Sequence, residues 1–228
     1  MLRGRNDRLS SIYTKVYLQV LQLDKRMTSE GIKEKREILK EILDSINERR
    51  KNSDSTKKLF SSEELAKKFG ANTDNKYWLN PRDIEMIHGL LSYQTDLFDS
   101  GKNNMFDYLV ALICENNIIK AYKDLIGIPY VGDKLAAFTL RDCVFLSKKC
   151  YHIKLNPYDY LMLFPVDTWV ERGGKKLLDI DAKANVNLVL LKIELINLCE
   201  KDGTLERDPL APLKLNAGIW YQLTQNQQ

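Results

Sequence analysis

The sequence predicts an all-α protein. Apolar residues recur at helical spacing along most of the 228-residue chain, which places them on one face of a helix. No segment shows the sustained alternation of apolar and polar residues that is typical of β-strands, and no internal repeat is present. We therefore expect a fold built from packed helices around an apolar core.

The first third of the chain combines helical apolar spacing with many charges. Residues 12–23 include helical spacings, although a strand is not excluded there. A later set of apolar residues predicts an amphipathic helix: Ile32, Leu39, Ile42, Leu43 and Ile46. Arg49-Arg50-Lys51 closes this helix, since cations suit a helix C-terminus, and residues 52–55 follow as a loop. Ser61 is the predicted N-cap of the next helix, with Glu64 as its capping-box partner.

Beyond Trp78 the chain is more apolar. The spacing predicts a helix that begins at Pro81-Arg82-Asp83. It also predicts helices over residues 105–113, 117–125, 135–146, 186–199 and 215–223. Gly101-Lys102-Asn103-Asn104 reads as a turn and Asn156-Pro157 as a break in the chain. Gly173-Gly174 is also predicted to be a turn.

Composition excludes several classes of protein. The 35 Lys+Arg against 31 Asp+Glu give a net charge of +4, which excludes a histone-like polycation but permits a local basic surface. No apolar run is long enough to span a membrane, and the N-terminal residues do not form a secretory signal. We therefore expect a cytoplasmic protein with no membrane partner.

The sequence predicts neither a metal site nor a cofactor. Its four cysteines, Cys114, Cys143, Cys150 and Cys199, have the spacing of neither a paired CxxC zinc site nor an iron–sulfur loop. The two histidines, His88 and His152, are far apart in the sequence. We expect reduced thiols in an intracellular protein.

Two segments carry the chemical signal. The first is Ile128-Pro129-Tyr130-Val131-Gly132-Asp133-Lys134, between two predicted helices. Its proline and glycines predict a tight hairpin, in which Gly132 permits a close backbone approach or a positive φ. The amides that open the second helix could hold a phosphate oxygen. Lys134 falls in the first turn of that helix, where the helix dipole disfavours a cation. A plain helical hairpin with a solvated lysine is the alternative.

The second segment is Pro165-Val166-Asp167, which follows an apolar run. Asp167 stands where a helix N-cap is expected, and an aspartate there needs no function beyond capping.

Together the two segments resemble the helix-hairpin-helix superfamily of DNA glycosylases. Those enzymes carry a hairpin written roughly L-P-G-V-G-x-K and a downstream V-D helix start. The chain departs from the first motif at Tyr130, which replaces a glycine. The resemblance implies an all-α fold of two helical subdomains with the active site in the cleft between them. Residues 1–84 would contribute to the second subdomain, and residues 85–228 would form the catalytic core and pocket helices.

Within the superfamily, the chain most resembles the archaeal 8-oxoguanine DNA glycosylases. The similarity lies in the helix that follows Lys134, in the long connection to Asp167, and in a C-terminal helix with Asn216 and Trp220 four residues apart. Phe106 stands where that branch has a tryptophan, and Asn216 stands where it has a carboxylate. The closely spaced C-terminal cysteines of the iron–sulfur members are absent.

The resemblance implies a DNA glycosylase with lyase activity. Lys134 would be the catalytic lysine and Asp167 the catalytic aspartate. Amides near Val131 and Gly132 would grip the DNA backbone. The flipped base would lie between Phe138 and Trp220, beside Phe106, with Asn216 bonding its edge. Ordinary core packing is the alternative for the aromatic residues.

The implied partner is double-stranded DNA with a damaged base, bound by a monomer without a cofactor. Lys148, Lys149, Lys175 and Lys176 could meet phosphate, although a solvated surface is the simpler interpretation. Three other functions remain open. They are a non-catalytic helix-hairpin-helix module that binds DNA, a monofunctional glycosylase, and a helical interaction protein that uses the charged N-terminal third.

Overall fold

The computed structural model describes residues 18–19, 28–51, 62–70, 81–102, 104–147, 150, 153 and 155–225. No strand occurs among these residues, so the all-α prediction is confirmed for the described part of the chain. The helices are α1 (Ser29–Lys51), α2 (Ser62–Lys68), α3 (Pro81–Asp99), α4 (Met105–Cys114), α5 (Ile118–Ile126), α6 (Asp133–Leu146), α7 (Pro157–Leu163), α8 (Thr168–Leu177), α9 (Leu188–Lys201), α10 (Thr204–Arg207) and α11 (Ala211–Gln225). Among these residues, no helix is long and apolar enough to cross a membrane.

The chain divides into two compact units. Described residues up to Met105, together with Ile128–Tyr130, form the first unit, and Phe106–Gly127 with the residues from Val131 onward form the second. Residue 84, after which the resemblance implied a boundary, lies inside α3. Because α3 is one continuous helix that packs along α1, it stays in the first unit over its whole length.

The first unit is built on the pairing of α1 with α3. The amphipathic helix predicted from the apolar spacing is confirmed, since Leu39, Ile42 and Ile46 of α1 are fully buried. Lys33 of α1 and Asp99 at the end of α3 form an ion pair of 2.6 Å. The loop at 52–55, the predicted N-cap Ser61 and most of residues 12–23 lie outside the described residues.

The second unit contains α4 to α11. In it α6 packs against α5 and α7, while α8 packs against α9 and α11. The helices predicted at 105–113, 117–125, 135–146, 186–199 and 215–223 are confirmed as α4, α5, α6, α9 and α11, with ends shifted by a few residues. Among the largest fully buried side chains of this unit are Leu109, Ile113, Ile118, Leu125, Leu140 and Phe164.

The break predicted at Asn156-Pro157 is the start of a helix. The Asn156 side chain accepts hydrogen bonds from the amides of Tyr158 and Asp159, and the Asp159 carboxylate accepts from the Asn156 amide. Proline is compatible with the first position of a helix because no intrahelical bond uses its nitrogen there. The same residues that interrupt the preceding segment therefore begin α7.

The turn predicted at Gly173-Gly174 is wrong. Both glycines lie inside α8 and are buried. A Cβ at Gly173 would lie 2.9 Å from Leu223 Cδ1 and closer still to the Ile219 side chain of α11. A Cβ at Gly174 would lie 2.9 Å from Leu195 Cδ1 of α9. The pair therefore serves close helix packing rather than a change of chain direction.

This packing predicts opposite effects for two glycine-to-alanine changes. Gly173→Ala should lower the free energy of unfolding by about 1–2 kcal/mol, because the added methyl overpacks the contact with Ile219 and Leu223. Gly218→Ala is the matched control, since Gly218 is exposed on α11 with nothing within 4 Å of its added Cβ. It should raise stability by about 0.5–1 kcal/mol through helix propensity. Urea unfolding followed by circular dichroism measures both, and equal shifts would contradict the packing role of Gly173.

Candidate active site

The predicted hairpin joins α5 to α6. Helix α5 ends at Ile126, and the amide of Gly127 donates to the Lys123 carbonyl at 3.1 Å. Tyr130 has a φ of +61°, in the left-handed region. Gly132, by contrast, is extended, with φ −96° and ψ 179°. The positive φ that Gly132 was expected to permit therefore falls on Tyr130, the position at which the resembled motif has glycine.

The hairpin tip lies close to a glycine of α3. A Cβ added at Gly89 would lie 2.8 Å from Cδ of Pro129 and 3.0 Å from Cγ2 of Ile128. These residues all belong to the first unit. The absent side chain at Gly89 thus leaves the space that Ile128 and Pro129 occupy, which fixes the tip next to Tyr130.

Lys134 is exposed in the first turn of α6. Within the described part of the chain it makes no hydrogen bond or ion pair, and its Nζ lies 5.9 Å from the centroid of the Phe138 ring. Gly132 caps α6 without a side-chain hydrogen bond. The first amides of the helix are therefore not satisfied by a capping side chain.

Arg141 lies beside the Phe138 ring, as Lys134 does. Its guanidinium carbon is 4.7 Å from the centroid of Phe138 and 5.9 Å from that of Phe145. It also forms an ion pair with Asp142 at 2.9 Å. Positions 134, 138 and 141 share one face of α6, so two cations lie next to the Phe138 ring. Arg141 was not predicted from the sequence, although its spacing of seven residues from Lys134 places both on one face of a helix.

Asp167 is the N-cap of α8, as its position after Pro165-Val166 predicted. Its Oδ1 accepts from the amides of Trp169 at 3.0 Å and Val170 at 2.9 Å. All hydrogen bonds of Asp167 within the described part of the chain use this one oxygen. The capping role therefore leaves Oδ2 without a hydrogen bond to the described residues.

Asn216 links two elements of the second unit. Its Oδ1 accepts from Nη1 of Arg141 at 2.8 Å, and its Nδ2 donates to the Pro165 carbonyl at 2.7 Å. The side chain is fully buried. An asparagine meets both requirements, whereas a carboxylate could accept from Arg141 but could not donate to Pro165. This gives a structural reason for the departure from the carboxylate of the resembled family.

The burial of Asn216 changes the role expected for it. Reading the edge of a base would compete with the two bonds that the amide already makes, to Arg141 and Pro165. The geometry instead suits a side chain that holds α6 against the segment before Asp167. Asn216 is therefore better described as a structural link than as a group that reads the base.

The other expected pocket residues are less constrained. Trp220 is half-buried one helical turn after Asn216 on α11, and Phe106 is exposed on α4. Phe138 is half-buried, and the Val131 side chain is buried. The structure gives no contact that joins Phe106 or Trp220 to Lys134, so their place in a base pocket stays a prediction.

One expected phosphate contact is excluded by burial. The Lys175 side chain is only 8% exposed and forms an ion pair of 2.7 Å with Glu171. Lys176 is exposed, whereas Lys148 and Lys149 lie outside the described residues. None of the four cysteines forms a disulfide. The described residues hold no group of three or more His, Cys, Asp or Glu side chains that could bind a metal ion.

Comparison with known proteins gives no family for this chain. No protein-family model, no curated protein and no solved structure matches the chain.

Proposed function

We propose that the chain is a DNA glycosylase with lyase activity that excises an oxidised purine, of the 8-oxoguanine type, from double-stranded DNA. The observation that carries the proposal is the buried link through Asn216. It ties the helix that bears the exposed Lys134 to the segment that ends at Asp167. A candidate nucleophile and a candidate carboxylate thus stand on two segments of the second unit that this buried link connects.

The hairpin supports the DNA-binding part of the proposal. The start of α6, which no side chain caps, offers backbone amides to a phosphate. Such contacts position a duplex without reading its sequence. Strong net charge is not needed for this mode of binding, which agrees with the modest +4 of the chain.

The proposed reaction begins when the damaged nucleotide leaves the base stack, because its glycosidic bond is not reachable in the duplex. Neutral Lys134 then attacks C1′ of the sugar, which forms the N–C1′ bond as the bond to the base breaks. The ionised Asp167 stabilises the positive charge that develops on the sugar. Loss of the amine proton and cleavage of the C1′–O4′ bond, with a proton taken up on O4′, convert this adduct into a Schiff base. Removal of a C2′ proton then expels the 3′ phosphate as the C3′–O bond breaks.

Borohydride trapping tests the proposal. The full chain is incubated with duplexes that contain 8-oxoguanine, an abasic site or no lesion, and the imine is reduced to a stable adduct. We expect a covalent complex with the two damaged duplexes only. Base excision without any adduct would indicate a monofunctional glycosylase. Binding without excision or adduct would indicate a non-catalytic DNA-binding module, and either outcome would overturn the proposed lyase.

A further inference from the structure

Asp133, which precedes Lys134, is held by two other helices. Its Oδ1 accepts from the Tyr122 hydroxyl of α5 at 2.6 Å, and its Oδ2 lies 3.2 Å from Nζ of Lys192 on α9. Lys192 also donates to the Leu161 carbonyl of α7 at 3.1 Å. Helices α5 and α9 therefore meet at the first residue of α6, and α7 is joined to them through Lys192.

The burial of Lys192 is what makes this arrangement unusual. The Lys192 side chain is 7% exposed, whereas that of Asp133 is 58% exposed. A buried ammonium is costly unless it is paired and hydrogen-bonded. Lys192 is the single cation in the mostly apolar segment Leu188–Leu198 of α9, where methionine would fill a similar volume without that cost. The placement needs a reason beyond core packing.

The Tyr122 contact completes the clamp. Burial, and then the hydrogen bond to the Asp133 carboxylate, raise the pKa of the Tyr122 hydroxyl well above its usual range. The hydroxyl therefore stays protonated and remains a donor to Asp133 across the physiological range. With Tyr122 on one oxygen and Lys192 on the other, the carboxylate cannot rotate without breaking a bond.

We propose that Lys192 and Tyr122 are positioning residues that fix the first turn of α6 through Asp133 and so direct Lys134 toward its substrate. This inference rests on the proposed function, because it assigns the clamp to the reaction of Lys134. Lys134 itself has no hydrogen bond or ion pair in the described part of the chain, so its orientation depends on the backbone that carries it. A misplacement of about 1 Å at a reacting group can cost a hundredfold in rate.

The test compares three variants in the full chain. Lys192→Met removes the charge at nearly constant volume, Lys192→Arg restores it, and Lys201→Met is the matched control on the exposed side of α9. The measurements are the single-turnover rate of adduct formation, the dissociation constant for the damaged duplex, and the melting temperature. We expect Lys192→Met to slow adduct formation by about tenfold or more while DNA affinity stays within about threefold of wild type. Lys192→Arg should recover most of the rate, and Lys201→Met should match wild type.

The outcomes separate the two proposals. If the wild type forms the adduct and Lys192→Met forms it at the same rate, the positioning role alone is overturned. The same conclusion follows if the unfolded fraction of Lys192→Met fully explains its lower rate. Absence of any wild-type adduct overturns the proposed function and this inference with it. If Lys192→Met fails to fold, Tyr122→Phe decides, because it removes one hydrogen bond and no charge. It should slow adduct formation by about threefold or more, and a wild-type rate in that variant would overturn the role of the clamp.

Discussion

Lys134→Gln should abolish the borohydride-trapped adduct. Glutamine is one atom shorter than lysine and has a similar helix propensity, but it cannot form an imine. Removal of a covalent nucleophile commonly costs about a thousandfold or more in rate, so the adduct should fall below detection. Gel separation of the reduced complex measures this directly on the 8-oxoguanine and abasic duplexes.

The same variant should still bind DNA and fold. Lys134 makes no hydrogen bond or ion pair within the described part of the chain, so stability should not change measurably. Duplex affinity should fall by no more than about threefold, because one positive charge is lost. Lys201→Gln is the matched control, with an exposed lysine of the same unit, and should trap at the wild-type rate. A Lys134→Gln protein that still forms the adduct would assign the imine to another lysine.

Asp167→Asn should retain the fold and lose most of the base excision. Asparagine is as good an N-cap as aspartate, so the bonds from the amides of Trp169 and Val170 can be kept. The negative charge is lost, and with it the stabilisation of the cationic sugar. We expect a rate of excision lower by about a hundredfold to a thousandfold, measured in single-turnover assays of base release.

Two companion variants separate charge from capping. Asp167→Ala should lose both the charge and the cap, and should also lower the free energy of unfolding by about 1 kcal/mol. Asp181→Asn removes the charge of an exposed aspartate whose Oδ1 accepts from the Lys183 amide in a turn, and excision should be unchanged. Full excision by Asp167→Asn would leave Asp167 with capping as its function.

Most of the helices could be predicted because apolar spacing and capping residues are local signals. The burial of Leu39, Ile42 and Ile46 follows from their spacing, and the cap at Asp167 follows from its place after an apolar run. The turn predicted at Gly173-Gly174 was wrong. Local propensity favours a turn there, whereas both glycines lie inside α8 in close contact with α9 and α11. At such positions, contacts with residues far away in the sequence override the local propensity.

Individual residues of the candidate site could be predicted from the sequence, but the contacts between them could not. Lys134 and Asp167 stand out because of motif spacing, but their connection through Arg141, Asn216 and Pro165 depends on contacts across 51 and 75 positions. A buried amide looks the same in sequence as one that faces a ligand. Lys192 left a fainter trace, as one cation among the apolar residues of α9, and only the fold shows that Asp133 lies beside it.

The amide of Asn216 also bears on how the second unit responds to acid. A carboxylate at that position would take up a proton as the pH falls, and its bond to Arg141 would weaken with it. An amide has no such proton to gain, so the connection between Arg141, Asn216 and Pro165 should hold unchanged into acidic solution. Any acid sensitivity of the proposed chemistry would then arise elsewhere than in this connection.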